Sequence, residues 1–125
     1  MSIRPALRKD RAAIKKLIAA FPRELVQEHL PKTNEFFVAD DKGAIVGCCA
    51  LEIYSKKIAE IRSLAVSDQY QGKGIATKLV NKCVARAKSR GVSQVLAITH
   101  NLRFFEKFGF GTFNQEKYAT FKYLK

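Results

Sequence analysis

The strand-forming run Glu60-Ile61-Arg62-Ser63-Leu64-Ala65-Val66 leads within a few residues into Gln71-Gly72-Lys73-Gly74, and from there straight into a helical pattern that opens at Ile75. A strand, a glycine-bearing loop and a helix start in this order constrain the chain more than any other feature. Gly72 and Gly74 let the backbone turn with its amides facing inward, and the first N–H groups of the helix lack intrahelical acceptors. Donors and helix dipole then converge on one point, which suits a phosphate. A phosphorylated cofactor is the expected ligand, with a plain tight turn as the bland alternative.

Around this unit the chain alternates strands and helices. Ile3 to Pro5 is expected as a first strand. Lys9 to Phe21 is expected as a helix carrying Ile14, Leu17, Ile18 and Phe21 on one face, with Asp10 as its N-terminal acid. Pro22 interrupts, and Arg23 to Leu30 is expected as a second short helix before Pro31. Phe36 to Ala39 and Ala44 to Ile53 read as strands joined by a turn at Asp40-Asp41-Lys42-Gly43, and Ile58 to Val66 follows after Lys56-Lys57. Beyond the glycine loop, Ile75, Leu79, Val80, Cys83, Val84 and Ala87 trace a helical face that stops at Gly91. Val92 to Thr99 is expected as a strand in the sheet interior, Leu102 to Phe108 as a short aromatic helix, and Tyr118 to Leu124 as a closing strand. The expected fold class is α/β: one domain over residues 1–125, with a mixed, mostly antiparallel central sheet flanked by helices.

The chain carries 23 Lys and Arg against 11 Asp and Glu, a net charge of +12, so anionic partners are favoured. The basic residues are scattered, with no dense tail and no aromatic-basic stripe, which argues against a nucleic-acid partner. The longest apolar run, Ala44 to Leu51, is far short of the roughly 20 residues that span a bilayer, and no secretory pattern opens the chain; no membrane partner and a cytoplasmic protein are expected. Cys48, Cys49 and Cys83 lack the spacing of a zinc site, so no metal is expected; they read as buried free thiols, with Cys83 as a nucleophile the remote alternative.

These residues resemble the GNAT superfamily of acetyl-CoA-dependent N-acetyltransferases over nearly the whole length. The likeness rests on Ile3-Arg4-Pro5-Ala6, on Phe37-Val38-Ala39 with Ile45-Val46-Gly47, and on Phe105-Glu106-Lys107-Phe108-Gly109-Phe110. Its centre is the family signature met by Gln71, Gly74 and Ala76 after the strand. Within that superfamily, Ala59 to Val66 and the Phe-Phe-Glu-Lys-Phe-Gly-Phe run are similar to the acetyltransferase domain of N-acetylglutamate synthases and related amino-acid acetyltransferases. Arginine biosynthesis comes with that likeness. The larger synthases add an amino-acid-kinase-like domain that is absent from this sequence.

The resemblance implies an acetyl-CoA co-substrate and an amine acceptor, most naturally the α-amino group of glutamate or a related amino acid. Gln71, Gly72, Lys73, Gly74, Ile75, Ala76 and Thr77 would cradle the CoA pyrophosphate, and the main chain of Leu64, Ala65 and Val66 would pair with the pantetheine arm as an added strand. An N–H there, that of Leu64 or a neighbour, would polarise the acetyl oxygen. Glu60 is the candidate general base; the alternative is a carboxylate paired with Arg62 or Lys57 or facing solvent. By strand alternation Glu60, Arg62 and Leu64 share one face and Ile61, Ser63 and Ala65 the other, barring a bulge.

Family members often place an acidic tyrosine where this chain has Phe105, a position that borders the cofactor, so the departing thiolate has no assigned proton donor; Tyr118 or water would have to serve. Phe104 and Phe108 are expected in the core. Asn101 is either a pantetheine contact or a helix N-cap, and His100 an alternative base or a structural residue. His29 is placed in the short helix beside the acceptor cleft. For an acidic acceptor, carboxylate partners are sought first at Arg62, with Ser63 beside it, then at Arg4, Arg23 and Lys56. A protein N-terminal or lysine acetyltransferase and a non-catalytic CoA-binding module stay as alternatives, and a homodimer is possible.

Overall fold

In the computed structural model, which describes residues 1–112 together with 122 and 124, five strands form one sheet in the order β1-β2-β3-β4-β5. These are β1 (Ser2–Pro5), β2 (Phe36–Asp41), β3 (Ala44–Ile53), β4 (Ile58–Val66) and β5 (Gln94–Ala97). The first four pair antiparallel, and β4 pairs with β5 in parallel. Helix α1 (Arg11–Ala19) connects β1 to β2, α2 (Ile75–Ser89) makes the crossover from β4 to β5, and α3 (Leu102–Glu106) follows β5. The result is the α/β domain that the alternating pattern predicts. The expected strand from Tyr118 to Leu124 lies outside the described residues.

Each face of the sheet has its own core. Phe36, Val38, Cys48, Ala50 and Ala65 meet Ile14, Leu17 and Ile18 of α1, whereas Phe37, Ala39, Cys49, Leu51, Ala59, Ile61 and Val66 meet Leu79, Val80, Cys83 and Ala87 of α2. A strand buried on both faces needs apolar residues without alternation, and the unbroken burial from Val46 to Leu51 in β3 shows that demand met. Gly47 lets α2 lie close: a Cβ there would stand 3.1 Å from Leu79 Cδ1 and 3.2 Å from Ile75 Cγ2. The first turn of α2 is thereby seated on the middle of the sheet.

Two expectations need correction. Arg23 to Leu30 is not a helix but a series of turns, because Pro22 and Pro31 bracket a stretch too short to nucleate one. Gln27 Nε2 instead donates to the carbonyls of Ile18, Phe21 and Leu25, closing off the end of α1, and His29 takes a left-handed φ of +55°. The strand after α2 is four residues, not the eight of Val92 to Thr99, and half-buried rather than interior. Val92 N–H still bonds Ala87 at the helix end, and Ile98 is 74% exposed.

The alternation along β4 meets the one exception allowed for it, a bulge. Its register against β3 shifts between Ala50↔Arg62 and Cys48↔Ala65, so Ser63 and Leu64 together oppose Cys49, and Ser63 adopts φ +56°. This bulge reverses the facing of everything after Arg62. Glu60 and Arg62 remain on the α1 side, but Leu64 joins Val66 against the α2 cluster and Ala65 turns toward α1.

All three cysteines are buried, and burial pushes the Cys48 thiol up to about 12. Cys49 Sγ and Cys83 Sγ lie 3.6 Å apart between β3 and α2 with no exposure, which removes Cys83 as a nucleophile. A disulfide-exchange reagent is therefore expected to react with none of the three until the protein is unfolded; stoichiometric labelling of native protein would contradict this.

Arg4 lies at the far edge of the sheet. Its Nη1 and Nη2 donate to Asp10 at 2.8 and 3.2 Å, and Nε and Nη2 to Asp40 Oδ2 at 3.2 and 3.1 Å. Asp10, with its side chain 5% exposed, also accepts from Leu7 N–H, and Asp40 from Gly43 N–H. One guanidinium thus ties β1 to the start of α1 and to the β2–β3 turn. The Arg4 hydrogen bond holds Asp10 below its ordinary value, with burial opposing, and the Gly43 N–H followed by Arg4 does the same for Asp40. Since both carboxylates are depressed in the folded state, their stabilisation is complete above the ordinary value of 3.8 and is lost as pH falls through the lower folded values. Asp10→Asn should cost about 2 kcal/mol in urea unfolding at neutral pH and flatten the acid decline of stability.

Candidate active site

The bulge at Ser63 decides where the sheet opens. Pairing between β4 and β5 runs from Ile58↔Gln94 to Ile61↔Ala97 and stops there, while β4 continues for five more residues, Arg62 to Val66. A bulge bends its strand and increases the local twist, so β4 leaves its neighbour where the extra residue enters. Along Arg62–Val66 one edge of β4 has no partner in β5, which leaves a slot for an extended ligand that bonds main chain to main chain.

The glycine loop lies at the end of this slot. Asp68–Tyr70 form a single 3-10 turn, and Gln71 reaches back, its Nε2 donating to Val66 O at 3.0 Å and Asp68 Oδ1 at 3.3 Å. Gln71 therefore holds the loop against the strand. Gly72 and Gly74 have φ of +77° and +81°, and a Cβ at either would meet nothing within 4 Å. Glycine is required there for the left-handed backbone, not for space.

Gly74 caps α2 without a side-chain bond, and the first hydrogen bond of the helix is Lys78 N–H to Gly74 O. The amides of Ile75, Ala76 and Thr77 thus precede any intrahelical acceptor, and no acid occupies the first turn. Lys73 Nζ stands 5.3 Å from the Tyr70 ring centroid, and the Tyr70 hydroxyl donates to Asp41 Oδ2 at 2.7 Å, which ties the loop to the β2–β3 turn.

On the α1 side of β3 and β4 a polar group of four side chains gathers. Glu52 and Glu60 are direct cross-strand partners. Arg62 Nη1 donates to Glu52 Oε1 at 2.7 Å and its Nη2 to the His29 carbonyl at 3.2 Å, so this guanidinium latches the α1–β2 segment onto the sheet. Burial works against the Arg62 charge, but the bond from Glu52 and the nearby carboxylates outweigh it and raise the group. Tyr54 Oη donates to Glu60 Oε1 at 2.5 Å. The partner of Glu60 is thus Tyr54, neither Arg62 nor Lys57.

The expected site residues divide accordingly. Glu60, Arg62 and Ser63 fall on the strand segment where the slot begins; Leu64, Ala65 and Val66 line its length; Gln71 to Thr77 close its end. Arg4 is excluded from this group, since it lies three strands away and is held by two aspartates. Arg62 lies on β4 beside Glu60, and its guanidinium is engaged by Glu52 and the His29 carbonyl. Arg23 and Lys56 are exposed on the segment before Leu25 and on the β3–β4 turn. Asn101 Oδ1 accepts from Phe104 N–H at 3.2 Å, the N-cap reading, and His100 is exposed.

Phe105 needs the plainest correction. It is 6% exposed, in edge contact with Phe104 at 5.1 Å and Phe110 at 5.3 Å between centroids, so its ring serves the core and offers no open face to a cofactor. Phe104 and Phe108 pack beside it, half-buried. Tyr118 lies outside the described residues.

Sequence reasoning missed Tyr54, Glu52, Tyr70 and Asp41. A turn centred on Lys56-Lys57 would set Glu52 opposite Ile61; the register observed is centred on Lys56, which brings Glu52 opposite Glu60 instead. A separate depression of about 250 Å³ lies between α1 and the Asp68–Tyr70 turn, lined by Leu17, Ala20, Phe21, Ser67, Asp68 and Gln69. It does not reach the β4 edge or the glycine loop, and the slot itself is an open groove.

Known proteins share this architecture. The Acetyltransferase (GNAT) family profile matches residues 5–110. An uncharacterised N-acetyltransferase of Chlorobaculum tepidum is 37% identical over 120 residues, covering 91% of this chain and 77% of its own. The amino-acid acetyltransferase of Mycobacterium tuberculosis is 30% identical over 116 residues, covering 86% and 67%. Among solved structures, N-acetylglutamate synthase from Neisseria gonorrhoeae, complexed with coenzyme A and N-acetyl-glutamate, superposes with a TM-score of 0.81 at 28% identity. That match covers 94% of this chain but only 30% of the synthase. The chain belongs to the GNAT family of acetyl-CoA-dependent N-acetyltransferases.

Proposed function

We propose that this chain transfers an acetyl group from acetyl-CoA to the α-amino group of an amino acid, glutamate or a close relative of it. The observation that carries the reading is the continuity of the site: a strand edge without a β5 partner from Arg62 to Val66, ended by a glycine loop and the uncapped start of α2. The named amino-acid acetyltransferases among its relatives support the acceptor class.

In this proposal the amides from Gly72 to Thr77 hold the pyrophosphate, with Lys73 adding charge at the mouth. The main chain of Leu64, Ala65 and Val66 pairs with the pantetheine arm. The Leu64 N–H, or a neighbour beside the bulge, faces the thioester oxygen as negative charge develops there. Acetyl-CoA supplies an activated carbonyl carbon. The acceptor nitrogen must be unprotonated to attack it, and Glu60 removes that proton, directly or through a water. The new C–N bond forms as the C–S bond breaks, and the sulfur takes its bonding electrons. A thiolate with a pKa of roughly 8 to 9 leaves tolerably near neutral pH, which fits a chain with Phe105 in place of a donor.

Acceptor carboxylates have fewer partners than the sequence promised. Arg4 is out of reach, and a carboxylate arriving at Arg62 must share the guanidinium with Glu52. A neutral relative of glutamate is accordingly as good a test substrate as glutamate itself.

The test is thiol release from acetyl-CoA against a panel of amino acids, polyamines and peptide N-termini. Turnover on glutamate or a near relative is expected, and Glu60→Gln should lower kcat by about 100-fold or more while the Kd for CoA stays unchanged. Silence across the panel with intact CoA binding would shift the reading to a protein acceptor or a binding module. Independently, Gly74→Ala should raise the Kd for CoA about tenfold by calorimetry, because a Cβ disfavours the left-handed turn that aims the amides.

A further inference from the structure

The polar group on the α1 side contains an arrangement that the fold does not need. Like charges directly opposite each other in an antiparallel pair are unfavourable, yet Glu52 and Glu60 occupy such positions in β3 and β4. A chain with 23 basic residues has cations enough to separate them. Arg62 answers only half of the problem: its two described bonds go to Glu52 and to the His29 carbonyl. Glu60 is left to Tyr54.

Tyr54 sits just past the end of β3, where its own N–H bonds the Ile58 carbonyl across the turn. That backbone bond fixes its Cα relative to the first residue of β4, two residues from Glu60. The residue is 52% exposed, so packing alone does not account for its position. Its hydroxyl nevertheless lies 2.5 Å from Glu60 Oε1, the short separation of a hydroxyl donating to a carboxylate.

We propose that Tyr54 is a positioning residue for Glu60: its hydroxyl fixes one carboxylate oxygen and leaves the other directed at the acceptor amine. The inference rests on Glu60 being the base, as in the proposed function. The carboxylate on its own turns freely about its terminal bond and is pushed by Glu52. Bonded to Tyr54 it presents a single oxygen in one orientation. Partial loss of water at the hydroxyl, then the Glu60 bond and the charges of Glu60 and Glu52, raise the phenol, with Arg62 opposing; a phenol is protonated at neutral pH even without that shift, so the hydroxyl is a donor there. Tyr54 is not an acid in the reaction; it keeps its proton.

The experiment is a double-mutant cycle on the full chain with Tyr54→Phe, Glu60→Gln and both together, using the acceptor found by the panel. Tyr54→Phe should lower kcat about tenfold, with the KM for acetyl-CoA, the Kd for CoA and the melting temperature unchanged. In the Glu60→Gln background the same change should have no further effect. Wild-type kcat in Tyr54→Phe, or an undiminished tenfold loss in the Glu60→Gln background, would overturn the positioning role. Full activity in Glu60→Gln would instead remove the base assignment, and the positioning role with it. A readout without turnover is the alkaline ultraviolet titration of the phenol, isolated as wild type minus Tyr54→Phe. It should move toward the ordinary tyrosine range in Glu60→Gln, and an unmoved titration would refute the bond.

Discussion

The shape of the candidate site depends on one irregularity in β4. The alternation of a regular strand would place Leu64 on the same side as Glu60. The extra residue at Ser63 prevents this. A serine at φ +56° carries a cost of order 1–3 kcal/mol, and the surroundings offset it. Cys48 Sγ donates to the Ser63 carbonyl, Leu64 and Val66 pack toward α2, and Ala65 packs toward α1. Both cores therefore fasten the segment on either side of the bulge. Straightening it would expose Leu64 and Val66 to the wrong face, so the distortion is held by the hydrophobic packing of the whole domain.

The charge distribution follows the same division. The chain is strongly basic, and at the loop end of the slot the start of α2, Lys73 and Lys78 present positive charge with no acid in the first turn. At the other end, Glu52 and Glu60 stand together with a single arginine between β4 and the α1–β2 segment. Positive charge therefore gathers beside the glycine loop, and carboxylates gather at the strand segment that precedes the unpaired edge. Net charge alone would have suggested only affinity for anions; the local arrangement is what distinguishes the two ends.

Much of this was legible in the sequence, and the physical reason is the scale on which each feature is encoded. β3 and β4 were bounded correctly because apolar period and turn residues are local signals, and α2 because its face and its glycine stop fall within one continuous stretch. The segment from Arg23 to Leu30 reads as a short helix because Pro22 and Pro31 are compatible with helix ends as well as with turns. The bonds of Gln27 to Ile18, Phe21 and Leu25 decide for turns, and they need the end of α1 already in place. The position of Phe105 in the chain was seen, but its burial depends on Phe104 and Phe110 closing around it. Arg4 reads as an available cation because its partners, Asp10 just before α1 and Asp40 in β2, meet it only when β1 docks.

The two halves of the candidate site differ in the same way, and that difference explains why one was read so much more fully. The phosphate end is made of backbone: amides turned by glycines, a strand edge and a helix start. Such groups are specified by which residues permit the turn, so a few letters in order are enough. The acceptor end is made of side chains from β3, from β4 and from the turn between them, and their meeting depends on register. Glu52 faces Glu60 and Tyr54 reaches Glu60 only because the hairpin closes with Ile53 opposite Ala59. A register slip of one residue would send Glu60 to the α2 core and dissolve the group, while leaving the glycine loop intact. The backbone end of the candidate site is consequently tied to the local order of glycines and helix start, whereas the group around Glu60 is tied to the register of one hairpin.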